Sequence, residues 1–131
     1  MSSSESPGLS APWVAIVDDH ISVRTSLARA LRLHGITAEG FASAEDYLRD
    51  GHFAKPCCLV LDVQLPGLSG FDLQRELATR SASAPPIIMI SAHAENLFSS
   101  NHTLGGVYGC LQKPFAIDAL LELVRPHYVA A

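Results

Sequence analysis

The chain has 131 residues, of which 48% are hydrophobic and 17% charged, so it is long enough for one domain with a buried core and too apolar for a disordered chain. Lys and Arg together number 9 against 13 Asp and Glu, a formal net charge of −4. An acidic chain without a basic run argues against direct binding of nucleic acid, because phosphate contacts need clustered Lys and Arg.

The N-terminal segment and the scattered Cys and His residues carry little further chemistry. Residues 1–11 are rich in Ser and are expected to be a flexible leader, since they lack the basic and apolar parts of a secretion signal. The longest apolar runs have the length of strands, so no membrane contact and a cytoplasmic location are expected. The cysteines are predicted to be reduced thiols, at positions 57, 58 and 110. The six histidines have no metal-ligand spacing and are assigned no chemistry, at positions 20, 34, 52, 93, 102 and 127.

Short apolar runs alternate with amphipathic segments along the whole chain. Five strands are predicted, at Trp13–Val17, Ile36–Phe41, Cys57–Leu61, Ile87–Ile90 and Val107–Leu111. Helices are predicted at Ser22–His34, from Ser43 towards Gly51, at Ser69–Thr79 and, short or frayed, at Glu95–Gly105, with a last one marked by Ile117, Leu120, Leu121 and Val124. Strands that alternate with helices predict a doubly wound α/β fold, with a five-stranded parallel sheet covered by helices on both faces.

Polar residues follow four of the predicted strands where each one ends. They are Asp18 and Asp19 after the first strand, Asp62 after the third, Ser91 after the fourth and Lys113 after the fifth. A parallel sheet brings these ends to one edge, where ligands bind in such folds. Three carboxylates held together repel one another unless a cation relieves them, and hard oxygen ligands suit Mg²⁺. A lysine and a serine hydroxyl beside them suit phosphoryl oxygens.

With these residues in place, the sequence resembles the receiver (REC) domains of two-component response regulators. The matching segments occur in the family's order, at Ile16–Asp19, Leu59–Asp62, Leu65–Gly70, Ile90–Ala92 and Lys113–Phe115. The resemblance covers roughly residues 13 to 127 and implies the flavodoxin-like, or CheY-like, receiver fold. We therefore expect a receiver domain at residues 12–128, with no output domain in this chain.

The resemblance also implies a role for each matching residue. Asp62 would accept a phosphoryl group from a sensor histidine kinase or a histidine phosphotransfer protein. Mg²⁺ would be bound by Asp19, Asp62 and the backbone carbonyl of Gln64, and by Asp18 through water. Lys113 would pair with the phosphoryl group, and the Lys113–Pro114 peptide bond would be cis. The chain would catalyse only its own phosphorylation and dephosphorylation, and so would not be an enzyme.

The residues that report phosphorylation depart from the family pattern. Ser91 fits the usual hydroxyl switch, but the position three before the lysine, usually Tyr or Phe, is Cys110. A thiol cannot repeat the movement of a ring, and Tyr108 is expected on the same face of the strand, where it could act instead. The family places the signalling surface on the last two helices and the fifth strand. The output would be a partner protein or a linked domain absent from this chain.

Three other functions compete with phosphorylation at Asp62. A degenerate receiver would act as an interaction module without phosphate, although the five polar residues at the strand ends are intact. A phosphohydrolase of the haloacid dehalogenase type needs an Asp-x-Asp motif, whereas this chain has Asp62-Val63-Gln64. A flavodoxin-like flavin carrier needs Ser, Thr and Gly donors after the first strand, where Asp18 and Asp19 would repel a phosphate that lacks a metal.

Overall fold

The computed structural model describes residues 12–50, 55–65, 67, 69–80, 85–92 and 107–128 of the chain. Its strands are β1 (Val14–Val17), β2 (Ala38–Phe41), β3 (Cys58–Asp62), β4 (Ile87–Ser91) and β5 (Val107–Gln112). Its α-helices within these ranges are α1 (Ile21–Leu33), α2 (Ala44–Asp50), α3 (Gly70–Arg80) and α4 (Ile117–Val124), and a 3₁₀ turn at Arg125–His127 follows α4.

The five strands form one parallel sheet in the order β2-β1-β3-β4-β5. The chain runs outwards from β1 to β2 on one side and from β3 to β5 on the other, so the strand order reverses between β1 and β3. Loops leave the carboxyl ends of these two neighbours in opposite directions and open a crevice there. The order therefore places the ends of β1 and β3 at the centre of any site on this edge.

Alternation along the strands divides the core into two layers. One layer packs α1 and α4 against one face of the sheet, through residues such as Ile16, Leu31 and Leu120. The other packs α2 and α3 against the opposite face, through residues such as Val17, Tyr47 and Leu73. Because both faces are covered, β1, β3 and β4 are buried at every position, which explains their nearly continuous apolar sequences.

Short polar side chains begin the two helices that follow β2 and β3. Ser43 Oγ accepts a hydrogen bond of 3.0 Å from the backbone nitrogen of Asp46 at the start of α2. At the start of α3, Ser69 Oγ accepts from the nitrogen of Asp72 at 3.1 Å, while Asp72 Oδ2 accepts from the nitrogen of Ser69 at 3.2 Å. These pairs satisfy backbone donors that a helix leaves open at its first turn and fix where each helix begins.

The doubly wound parallel fold predicted from the sequence is confirmed, and the predicted strands lie within two residues of the observed ones. The largest shift is in β2, which begins at Ala38 instead of Ile36 because residues 36 and 37 lead out of the turn that ends α1. The predicted leader (1–11) and the frayed helix at Glu95–Gly105 lie outside the described residues. In the part of the chain that the structure describes, no helix has the length and apolar character needed to cross a bilayer.

Candidate functional site at the carboxyl edge of the sheet

Two buried carboxylates lie side by side where β1 and β3 end. Asp18 follows the last residue of β1 and Asp62 is the last residue of β3, and the side chains of both are almost completely inaccessible to solvent. Asp19, the next residue after Asp18, is exposed. The apolar register of β1 against β3 fixes this juxtaposition, because Val17 pairs with Leu61 immediately before the two acids.

Lys113 bridges the two buried acids from the end of β5. Its Nζ atom donates to Oδ2 of Asp18 at 2.9 Å and lies 3.3 Å from Oδ2 of Asp62. The lysine side chain is 21% exposed, whereas the two acids are almost completely buried. Solvent therefore reaches the ion pairs through the lysine. A buried carboxylate needs a positively charged partner, and here the ammonium group of Lys113 forms an ion pair with both acids.

The remaining oxygens of the two acids accept hydrogen bonds from the loops after their strands. Oδ1 of Asp18 accepts from the backbone nitrogen of His20 at 2.9 Å. Oδ1 of Asp62 accepts from the backbone nitrogen of Gln64 at 3.0 Å. Each carboxylate is therefore held from both sides, by a loop amide on one oxygen and by Lys113 on the other, which fixes its orientation before any ligand arrives.

The environment shifts the pKa values of Asp62 and Lys113. Burial, together with the negative charge of Asp18, raises the pKa of Asp62, against the opposing effects of the Gln64 hydrogen bond and the charge of Lys113. For Lys113 burial alone would lower the pKa, but the hydrogen bond to Asp18 and the charges of both acids outweigh it and raise the pKa. The lysine is thus held as a cation at neutral pH.

Ser91 joins the same edge through the backbone. It is the last residue of β4, is fully buried and pairs with Gln112 of β5. Its carbonyl oxygen accepts a hydrogen bond of 2.7 Å from the backbone nitrogen of Lys113. The following Lys113–Pro114 peptide bond is cis, as expected. The strand register therefore makes the serine and the lysine direct neighbours.

The clustered side chains have the composition of a divalent cation site. Asp18, Asp19, His20 and Asp62 each offer one ligand atom, and these atoms all lie within 4.8 Å of one another. The three carboxylates carry more negative charge than Lys113 neutralises, and oxygen donors of this kind suit Mg²⁺. The residues present therefore fit such an ion. The expectation that the Gln64 carbonyl is a ligand stays a prediction.

His20 belongs to this cluster, although the sequence analysis assigned it no chemistry. Its Nδ1 atom lies 3.3 Å from Oδ1 of Asp18 and 3.3 Å from Oδ1 of Asp19. Two histidines at metal-ligand spacing are a recognisable sequence signal, and a single histidine that acts with carboxylates does not produce it. The available signal was its position, directly after two acids at the end of a strand.

Arg24 is a second residue beside the site that was not expected from the sequence. From the first turn of α1, its Nη1 atom donates a hydrogen bond of 2.9 Å to the backbone carbonyl of Asp18. Its aliphatic part crosses Gly40 of β2 so closely that a Cβ atom there would lie 2.4 Å from Cγ of Arg24. The glycine thus leaves the space that lets the arginine reach the main chain beside the site.

Gly70 gives the loop after Asp62 its shape. A Cβ atom at this position would lie 2.5 Å from the carbonyl oxygen of Asp62 and 2.8 Å from Cα of Val63. The backbone nitrogen of Gly70 donates to the carbonyl of Val63 at 3.0 Å. The first residue of α3 can approach the end of β3 this closely only because it lacks a side chain.

Tyr108 and Cys110, the two residues expected to act as switches on one face of β5, contact different parts of the structure. That expectation assumed regular alternation, but the register shifts between Ile87 and Ile88, which pair with Val107 and Gly109 and leave Tyr108 as an extra residue. Cys110 packs against the α2/α3 layer. The Tyr108 ring instead contacts the ring of His127, beyond α4, at 4.2 Å between centroids.

An open groove adjoins the site on the α1 side. It has a volume of about 440 Å³ and lies between α1 and the segment that connects β5 to α4. Its lining is mostly apolar and is formed by Ser22, Val23, Ser26, Leu27, Lys113, Pro114 and Phe115. Lys113 is therefore shared between this groove and the carboxylate site.

Comparison with known proteins places these features in one family. A profile described as "Response regulator receiver domain" matches residues 14–125. The chain is 40% identical over 111 residues to nodulation protein W of Bradyrhizobium diazoefficiens, a match that covers 85% of this chain and 48% of that protein. It is 35% identical over 115 residues to the transcriptional regulatory protein TdiR of Thauera aromatica, covering 88% of this chain and 50% of that protein.

Solved structures agree with the fold. The chemotaxis protein CheY4 of Vibrio cholerae superposes with a TM-score of 0.79 at 25% identity, over 89% of this chain and 98% of that one. The chain spans about half the length of the two curated relatives above and nearly the whole of this structural neighbour.

Proposed function

The chain belongs to the receiver domain family of two-component response regulators, and we propose that it accepts a phosphoryl group on Asp62. The observation that carries this proposal is the bridge from Lys113 Nζ to Asp18 and Asp62. It puts a fixed positive charge next to a carboxylate at the centre of the sheet edge. Family membership supplies the type of reaction, and the close approach of Lys113 to two buried carboxylates supports the choice of Asp62 as the residue that carries it.

Phosphoryl transfer from a phosphohistidine to Asp62 makes one bond and breaks one. An oxygen of the Asp62 carboxylate attacks phosphorus and forms a P–O bond, while the P–N bond breaks and its electron pair stays on the imidazole nitrogen. Lys113, 3.3 Å from the same carboxylate, is placed to exchange its contact with Asp62 for one with a phosphoryl oxygen. The Ser91 hydroxyl would bind another phosphoryl oxygen from the neighbouring strand.

The acidic cluster is the proposed magnesium site. Asp19, Asp62 and the carbonyl of Gln64 would bind the ion directly, and Asp18 through water. When bound, Mg²⁺ neutralises negative charge on the phosphoryl oxygens, which is a large part of what phosphoryl transfer requires. Asp18 contributes by keeping Lys113 in place, through the 2.9 Å hydrogen bond between them. The support for this assignment is the convergence of carboxylate ligand atoms within 4.8 Å.

The proposed donor is a sensor histidine kinase or a histidine phosphotransfer protein. Because the chain spans about half of its curated relatives, its output belongs to a partner protein or to a linked domain, such as that of a transcriptional regulator. We assign the chain no separate substrate to turn over, so its chemistry is confined to the formation and hydrolysis of its own aspartyl phosphate.

Intact-mass spectrometry tests the proposal without a knowledge of the kinase. The full chain is incubated with phosphoramidate or acetyl phosphate, with and without MgCl₂, and compared with Asp62→Asn and with Asp118→Asn, an exposed acid in α4. We expect one phosphoryl adduct that depends on Mg²⁺, disappears in Asp62→Asn and persists in Asp118→Asn.

Two results would contradict the proposal. An adduct that remains in Asp62→Asn would place the phosphoacceptor elsewhere. A folded wild-type protein that binds Mg²⁺ and never forms an adduct would favour a degenerate receiver, whose surface acts without phosphate.

A further inference from the structure

We infer that His20 is a nitrogen ligand of the metal site, so that the site prefers divalent ions with an affinity for imidazole, such as Co²⁺, Ni²⁺ and Zn²⁺, over Mg²⁺. This inference rests on the proposed function insofar as it uses the same carboxylates. It adds a ligand that the pattern of acids, serine and lysine does not contain, and it concerns which metal the site selects.

The position of the imidazole supports this role. Nδ1 of His20 faces two carboxylates at once, at 3.3 Å from an oxygen of Asp18 and 3.3 Å from an oxygen of Asp19. One ring nitrogen of His20 lies within 4.8 Å of the other ligand atoms of the cluster, including that of Asp62. Ligand atoms bound to one metal at about 2.1 Å are separated by about 3 to 4.2 Å, so only small side-chain movements would bring Asp19, His20 and Asp62 to a common ion.

The backbone holds His20 where such a movement is easy. The residue precedes the first turn of α1 in an extended conformation, and its backbone nitrogen is anchored to Oδ1 of Asp18 at 2.9 Å. Its side chain is 65% exposed, so the ring is not confined by packing. The main chain is fixed while the imidazole can turn towards an ion, which is the arrangement a ligand on a short loop needs.

The donor set determines the preference among metals. Mg²⁺ favours oxygen ligands and retains several waters, so an added imidazole gives it little. Later first-row ions bind imidazole strongly, and their affinities rise along the series from Mn²⁺ to Cu²⁺. A site with carboxylates from Asp19 and Asp62 and a nitrogen from His20 therefore gains affinity for these ions and not for Mg²⁺.

His20 could instead serve only as a hydrogen-bond donor that neutralises Asp18 and Asp19 while no metal is bound. The two roles predict opposite effects of removing the ring. A competing donor, once removed, leaves the carboxylates more available and strengthens binding of every divalent ion. A ligand, once removed, weakens binding of the ions that coordinate nitrogen and leaves Mg²⁺ almost unchanged.

Calorimetric titration of the full chain with MgCl₂ and with CoCl₂ separates these roles, and the visible absorption of bound Co²⁺ reports its ligands. The variants are His20→Ala and His20→Gln, with His34→Ala as the matched control, because His34 is an exposed histidine at the other end of the same helix. Asp62→Asn shows whether an ion occupies the carboxylate site, and circular dichroism checks that each variant is folded.

We expect both His20 variants to lose about tenfold or more of their Co²⁺ affinity and to shift the Co²⁺ spectrum, because loss of a ligand costs at least as much as loss of its supporting contacts. Mg²⁺ affinity is expected to stay within a factor of about two, since Mg²⁺ gains little from nitrogen. His34→Ala should bind both ions as the wild type does. Asp62→Asn should lower the affinity for both Co²⁺ and Mg²⁺.

The inference is overturned if the ratio of Co²⁺ to Mg²⁺ affinity is the same in His20→Ala and wild type, or if both affinities rise. It is also overturned if Co²⁺ binding is unchanged in Asp62→Asn, since the ion would then lie elsewhere. A wild-type chain that binds Co²⁺ and Mg²⁺ equally, with Asp62→Asn weakening both, would refute the role of His20 and leave the proposed magnesium site intact. A wild-type chain that binds neither ion would refute both.

Discussion

The Nζ atom of Lys113 lies 2.9 Å from Oδ2 of Asp18, although 95 residues separate the two in the chain. The contact connects the end of β5 with the end of β1 along one edge of the sheet. The same Nζ atom also lies 3.3 Å from Oδ2 of Asp62, at the end of β3 between them. It shields two buried carboxylates from each other and holds the lysine at the point where a phosphoryl group would be bound. The same ion pair is therefore a source of stability and a part of the proposed chemistry.

Replacement of Lys113 by Met should destabilise the fold by about 3 kcal/mol, because two buried carboxylates lose their counter-ion. The free energy of unfolding in urea measures this loss. The matched control is Lys55→Met, since Lys55 is exposed and lies before β3. MgCl₂ should recover part of the loss, because the ion replaces the missing positive charge and binds only the folded state. A Lys113→Met protein as stable as wild type without Mg²⁺ would show that the bridge contributes nothing.

Asp62→Asn should raise the melting temperature at pH 7. The pKa of Asp62 is raised by burial and by the nearby Asp18, so the folded protein loses stability when this carboxyl ionises. The stability associated with the protonated form is complete below the unfolded pKa of about 3.8 and is lost as the pH rises through the higher folded pKa. Asparagine keeps the shape and removes the charge.

The gain from Asp62→Asn should therefore shrink as the pH falls towards 4, which calorimetric melting curves at several pH values in the absence of metal would measure. Asp118→Asn, at an exposed position in the first turn of α4, should give no increase at any pH. A lower melting temperature for Asp62→Asn at pH 7 would mean that its contact with Lys113 outweighs the cost of burying the charge.

Gly70→Ala should destabilise the protein by about 1 to 3 kcal/mol, although alanine normally strengthens a helix. The added methyl group would lie 2.5 Å from the carbonyl oxygen of Asp62, so the start of α3 must move away from β3. Because Asp62 lies on the other side of that contact, phosphorylation by phosphoramidate should slow as well. Thr79→Ala, at an exposed position in the same helix, is the control and should change stability by less than about 0.5 kcal/mol.

Arg24→Met should lower the free energy of unfolding by about 1.5 kcal/mol. The substitution removes the charged hydrogen bond to the carbonyl of Asp18 but keeps the aliphatic contact with Gly40. Urea unfolding measures the change. The control is Arg29→Met, because Arg29 is an exposed residue of the same helix. This substitution should leave the free energy of unfolding nearly unchanged. Equal effects of the two substitutions would argue against a specific role of Arg24 beside the site.

Tyr108 as a switch stays a prediction, with a geometry that the structure now defines. The strand register pairs Val107 and Gly109 with successive residues of β4 and skips Tyr108, and β5 is connected to the site through Lys113. Binding of beryllofluoride at Asp62 should therefore displace the ring from His127, increasing the present centroid separation of 4.2 Å. Crystal structures of the free and beryllofluoride-bound protein would measure it, and an unchanged ring would remove Tyr108 from consideration.

Most of the fold could be derived from the sequence because its signals are local. Apolar runs of strand length alternate with amphipathic helices, and Ser43 and Ser69 stand where two helices begin. Family membership was recognised from ordered segments, and the family profile and relatives confirm it. The regular alternation expected around Tyr108 is interrupted by a shift of register, because a bulge depends on how two strands pair and leaves no signal in one of them.

The sequence by itself determined that a parallel sheet would carry Asp18, Asp62 and Lys113 to a single edge, because apolar runs that alternate with helices predict parallel strands, whose carboxyl ends meet at one edge. Only the tertiary structure decided how they meet there. The contacts of Lys113 with Asp18 at 2.9 Å and with Asp62 at 3.3 Å, and the approach of Gly70 to Asp62, depend on packing between separate segments of the chain. Distances of this size arise when the helices and the sheet close around one core, and no pattern in the neighbouring residues encodes them.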